Sequence, residues 1–103
     1  MKVFISQAMR GLTDEEILKA REEAIEYVNS TIKTTSEDKI EIIDSFFQSA
    51  PVDVKPLWYL GKSLELLSTA DICLFVGNWE EARGCKIEHD CCIQYGIPTI
   101  YFN

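Results

Sequence analysis

The run Ile72-Cys73-Leu74-Phe75-Val76 constrains this chain more than any other stretch. Five consecutive apolar residues stand between polar Asp71 and a turn at Gly77-Asn78-Trp79. A run this short, with no polar alternation, suits a central parallel strand covered on both faces. Parallel neighbours are reached only through crossovers, usually helical. Helical patterns should therefore flank the run in sequence, and they do.

Residues 2–6 (KVFIS) form a short apolar run that stops at polar Ser6 and Gln7. Thr13-Asp14-Glu15-Glu16 spells a capping box, in which Thr13 caps the Glu16 amide while Glu16 reaches back. Ile17, Ala20, Ala24, Ile25, Val28 and Ile32 follow at helical spacing, and that helix should end between Asn29 and Thr31. Lys39 to Asp44 (KIEIID) reads as a second strand. Ser45 to Pro56 is irregular, broken by Pro51 and Pro56 and carrying Phe46 and Phe47. Leu57, Leu60, Leu64 and Leu67 give a second helix over residues 57–69. A third helix is expected from about Glu80 to Tyr95, stopped by Gly96 with Pro98 beyond, before a last strand at Thr99 to Phe102. The order β-α-β-α-β-α-β contains no linker or repeat. It predicts a single α/β domain over 1–103, a small doubly wound, Rossmann-like fold. Right-handed crossovers give a four-stranded parallel sheet of order 2-1-3-4 with three helices.

With 103 residues there is room for one core. The net charge is −7, with acid concentrated in Asp14 to Glu26 and Glu37 to Asp44. That balance repels a polyanion, so polymeric nucleic acid is not an expected partner. A small anionic ligand remains compatible with it if a few arginines converge. No apolar run approaches the roughly 18 residues of a membrane helix, and the N-terminal run is too brief for a signal peptide. A cytoplasmic location without membrane partners is the expectation. The four cysteines, Cys73, Cys85, Cys91 and Cys92, lie in the central strand run and on the third helix. In a reducing compartment they read as small apolar residues.

Ligands of open α/β sheets bind beyond the carboxyl ends of the strands, at the switch point between strands 1 and 3. Here the segments meeting there are Ser6 to Gly11 and Gly77 to Gly84, each with an Arg-Gly pair leading into a helix whose amides favour anions. Arg10 and Arg83 are candidate anion ligands through bidentate guanidinium forks, or else pair with the acidic helices. Trp79, Phe46 and Phe47 could stack on a base or cover the core. Glu88 lies near the Ile87-Cys91-Tyr95 stripe of the third helix; it is either a functional carboxylate or a helix-surface group paired with a Lys or Arg. Asp71 opens the central strand at its amino end, where aspartates also terminate helices. Cys85, Glu88, His89 and Cys92 recur at i, i+3, i+4 and i+7, but four groups on one straight helix cannot enclose a metal tetrahedrally. No phosphate-loop lysine motif or dinucleotide glycine fingerprint is present, and no metal or cofactor is expected.

The segments FISQAMRGLTDEE, TADICLFVGNWEEARG and CKIEHDCCIQYGIPTIYF together resemble the nucleoside 2-deoxyribosyltransferase superfamily, especially its short bacterial and phage members. The opening segment is also similar to that of the deoxynucleoside 5′-monophosphate N-glycosidases within it. The resemblance implies chemistry at an N-glycosidic bond, as hydrolase or transferase. By position Glu88 matches the family's nucleophile and Asp71 its strand-3 aspartate. Asp90 and Cys92 stand where the family usually has small residues. Ser6, Gln7, Arg10, Gly11, Trp79, Arg83 and Gly84 would contact a small nucleoside or nucleotide, with Arg10 and Arg83 on a 5′-phosphate. The alternative is a non-catalytic nucleotide-binding or sensing module of the same fold. Self-association into a homo-oligomer is also expected, because the last strand offers a sheet edge and a neighbour could close the crevice.

Overall fold

The computed structural model describes residues 1–8, 11–32, 39–43, 53 and 55–102. Arg10, Asp44, Phe46, Phe47 and Pro51 lie outside the described residues. In chain order the elements are β1 (Lys2–Gln7), α1 (Asp14–Thr31), β2 (Glu41–Ile43), α2 (Pro56–Leu67), β3 (Ile72–Val76), α3 (Arg83–Tyr95) and β4 (Thr99–Phe102). All strand pairs are parallel and the order is β2-β1-β3-β4. This is the doubly wound α/β arrangement expected from the sequence.

Alternation along the strands divides the core. Val3, Ile5, Leu74 and Val76 pack with Ala24 and Val28 of α1 on one face. Phe4, Cys73 and Phe75 point the other way, onto Leu67 of α2 and Cys92 of α3. β3 is buried along nearly its whole length, as its unbroken apolar run demands. The Thr13 capping box forms in both directions, so α1 begins where the sequence says it should.

The start of α3 differs from expectation, while its end does not. α3 starts at Arg83 because Trp79–Glu81 form a 3-10 turn first, closed by Ala82 N–H donating to the Trp79 carbonyl. Gly96 ends α3 in the left-handed region at φ 73°, which a side chain would resist. In α2 only Leu67 is fully buried, while Leu57 is exposed. The amino end of that helix overhangs the carboxyl edge of the sheet instead of covering its middle.

Candidate functional site

β1 and β3 run side by side to their carboxyl ends, where Ser6 pairs with Phe75 and Gln7 with Val76. Strand order departs on opposite sides from this pair, so a crevice opens beyond it. A cleft of about 1370 Å³ occupies that position. Small-ligand sites are usually about 300–1,000 Å³, so a nucleotide has room.

Ser6 and Gln7 are consecutive on an extended strand and therefore point to opposite faces. Ser6 shares the face of Phe4 and meets α3, where its Oγ donates to Glu88 Oε1 at 2.8 Å. Glu88 sits in the second turn of α3 and is only 6% exposed. Burial pushes its carboxyl up to about 7, and the hydrogen bond from Ser6, which favours the ionised form, pulls partly against this. Among the described residues the one ion pair is Lys62–Glu65, so Glu88 is not the cation-paired surface group of the blander reading. Cys85 lies one turn earlier, buried beside the same pair. Burial raises its thiol to about 11 against the pull of the Ser6 hydroxyl, so it is neutral at ordinary pH.

Gln7 shares the face of Val3 and Ile5 and meets α1, where its Nε2 donates to the Ile17 carbonyl at 2.8 Å. Arg83 and Gly84 open α3 and line the cleft. Gly11 adopts φ 84°, a conformation that favours glycine, in the turn ahead of α1. Its neighbour Leu12 lines the cleft, as does Ala8. Ser6, Gln7, Glu88, Arg83 and Gly84 are thus brought to one carboxyl edge.

Two expected site residues are not brought there. Asp71 lies at the amino end of β3, at the opposite edge of the sheet. Its Oδ2 accepts from the Lys2 amide at 2.7 Å and its own amide donates to the Lys2 carbonyl, so it ties β3 to the start of β1. Trp79 is drawn by its 3-10 turn over Phe75, at 5.0 Å between ring centroids, and stacks on His89 at 4.4 Å. This aromatic group closes the β3–β4 side of α3 instead of facing the cleft. His89 is held there by Tyr101, 2.7 Å from its Nε2. The helical quartet is consequently split: Glu88 turns to Ser6, His89 to Tyr101 and Cys92 into the core. Among the described residues no three His, Cys, Asp or Glu side chains gather as metal ligands would.

Some lining residues escape the motif reading. The amino end of α2 contributes Lys55, Leu57 and Tyr59 to the cleft, and Asn78 and Glu81 come from the β3–α3 connection. The signal for α2 was available in the topology. A helix that follows a parallel strand begins at the carboxyl edge, so α2 must start where α1 and α3 start. No protein-family model, curated protein or solved structure matches this chain.

Proposed function

We propose that this protein opens the N-glycosidic bond of a nucleoside or nucleotide, with Glu88 as the nucleophile. The observation that carries this reading is a buried carboxylate, partnered among the described residues by a serine hydroxyl alone, at the switch point of an open α/β sheet. In the ionised form Glu88 attacks C1′, and the C1′–N bond breaks with its electron pair leaving on the base. A proton then neutralises the departing nitrogen, and Glu81 is a second carboxyl group on the same cleft. Water resolves the glycosyl ester in a hydrolase, a second base in a transferase. Ser6 orients the Glu88 carboxylate. Arg83 stands at the cleft for a 5′-phosphate, with Arg10 assigned the same task from the sequence alone.

The protein should be incubated with a panel of 2′-deoxynucleosides and their 5′-monophosphates and free base followed by chromatography. Base release is expected, and Glu88→Gln should lower it by about 10³-fold or more while the variant folds. Turnover that survives the substitution refutes the assignment to Glu88. Tight binding of an intact nucleotide without turnover, equal in both proteins, supports the binding-module reading in its place. We also propose self-association through the exposed apolar side chains at the cleft, Leu57 and Ile87.

A further inference from the structure

Lys55 stands at the start of α2 and Arg83 at the start of α3; both are exposed and both line the cleft. A cation is out of place there, because the aligned peptide dipoles leave a partial positive charge at the beginning of a helix. α1 shows the stable arrangement: Asp14, Glu15 and Glu16 fill its first turn and Thr13 caps it. α2 and α3 have neither an acid in the first turn nor a side-chain cap, and each carries a cation instead. No carboxylate compensates them. Among the described residues the one ion pair is Lys62–Glu65, and Glu81, on the same cleft and close to Arg83 in sequence, does not pair with it. In a chain of net charge −7 this is no shortage of acid. The same local rule is broken on two neighbouring helices at one cleft, and such breaches concentrate where function requires them.

We infer that Lys55 is a specificity residue of this cleft, holding with Arg83 the phosphate group of a phosphomonoester ligand. A phosphomonoester carries a charge between about −1.5 and −2 at neutral pH, so it matches two cations better than a carboxylate does. Arg83 offers it a planar fork of donors and Lys55 a mobile point charge. The place of the phosphate follows from the layers. α2 and α3 cover the same face of the sheet, the face on which Ser6 meets Glu88. The phosphate and the reacting carbon of the ligand therefore lie on one side of the end of β1. With the nucleoside reading, on which this placement rests, the phosphate is that of the 5′ carbon, and Lys55 helps the cleft tell a nucleotide from a nucleoside.

The test pairs ligands with protein variants. The wild type, Lys55→Gln, Arg83→Gln and Lys62→Gln are titrated at fixed ionic strength with the common 2′-deoxynucleosides and with their 5′-monophosphates. 2-Deoxyribose 5-phosphate and inorganic phosphate, which carry no base, are titrated alongside. Dissociation constants come from amide chemical shifts, free base is measured in parallel, and kcat/KM replaces affinity for any ligand that is turned over. The wild type should prefer the monophosphate of at least one nucleoside to the nucleoside itself by about 10- to 100-fold. Lys55→Gln and Arg83→Gln should each lower that ratio by about 5- to 10-fold through the loss of one exposed charge, with the nucleoside alone bound as before. Lys55→Arg should restore the ratio, and Lys62→Gln, on the same helix but outside the cleft lining, should leave it intact. Equal affinity for every nucleoside and its monophosphate overturns the inference. So does a ratio that Lys55→Gln leaves unchanged, or that Lys62→Gln lowers as far. If only the two ligands without a base bind, and Lys55→Gln abolishes this, the phosphate site stands and the nucleotide reading falls. Preference for the monophosphate without base release upholds Lys55 and refutes the enzymatic reading; base release at equal rates from nucleosides and monophosphates does the reverse. Absence of both binding and turnover refutes both.

Discussion

At the scale of single residues, the Ser6–Glu88 pair sets a pH dependence with a definite sign. The folded chain holds a proton on Glu88 up to about pH 7, whereas an unfolded chain releases it in the ordinary carboxylate range. Between those limits the folded state binds more protons, so stability falls as pH rises through the window and is level above it. The whole effect is at most about 3 kcal/mol for a carboxyl shifted this far. Glu88→Gln has no proton to lose. Its melting temperature relative to the wild type should therefore rise from pH 5 to about pH 7 and level off beyond, and a gap that stays constant would mean Glu88 is not buried as described. The same group gives kcat/KM an ascending limb through about pH 7, because only the carboxylate is nucleophilic. Ser6→Ala removes a donor that favours the charged form and should move that limb to higher pH. Little of this was legible in the sequence. The Ile87-Cys91-Tyr95 spacing put Glu88 near an apolar stripe, but rotation of α3 about its axis decides whether it faces Ser6 or solvent. That rotation is set by packing of Cys92 with Phe4, Cys73 and Phe75 of the sheet and Leu67 of α2, a tertiary contact with no local signature. The hydrogen bond from Gln7 to α1 is hidden for the same reason, since its partner is a backbone carbonyl on another element.

The elements themselves were readable because their signals are local. The apolar runs, the capping box at Thr13 and the glycine after Tyr95 each act within a few residues, and each element formed in its expected order. The exception is the segment between β3 and α3, where a 3-10 turn delays the helix and carries Trp79 onto Phe75 and His89. Aromatic burial outweighed a helical pattern that began at Glu80, and the tryptophan expected at the ligand became part of the wall. Asp71 shows the complementary case. Its place before β3 was plain, and a parallel strand puts its first residue at the edge away from the crevice. There its carboxylate joins two strand beginnings through the Lys2 amide. Asp71→Ala should cost about 1 kcal/mol for this partly solvated hydrogen bond. In a domain of this size that lowers the melting temperature by about 4–8 °C. Base release by the folded variant should be unchanged. A variant that keeps its stability and loses turnover would return Asp71 to the active site.

For the whole molecule, the question is what covers the outer surface of α2 and α3. The sheet is shielded by α1 on one face and by these two helices on the other, so each helix has one side committed to the core. Leu57 is nonetheless 74% exposed and Tyr95 83% exposed, and Tyr59, Ile87 and Ile93 on the same two helices are exposed as well. Leu57, Tyr59 and Ile87 line the cleft, whereas Tyr95 closes α3 at the far edge of the sheet. Exposed apolar side chains gathered at one cleft are better explained by a contact surface than by chance, since solvated apolar area of this kind is usually an interface. A second copy fits because one patch can meet itself across a two-fold axis, with the mouth of each cleft at the seam. The expected mass by light scattering is that of a dimer, 23.6 kDa as twice the 11.8 kDa chain. The double substitution Leu57→Lys, Ile87→Lys places four like charges on a symmetric contact and should yield a folded monomer. A wild type that runs as a monomer contradicts self-association altogether. A dimer that tolerates the four lysines moves the contact elsewhere, and the exposed edge of β4, at the end of the sheet, is then the surface to disrupt next.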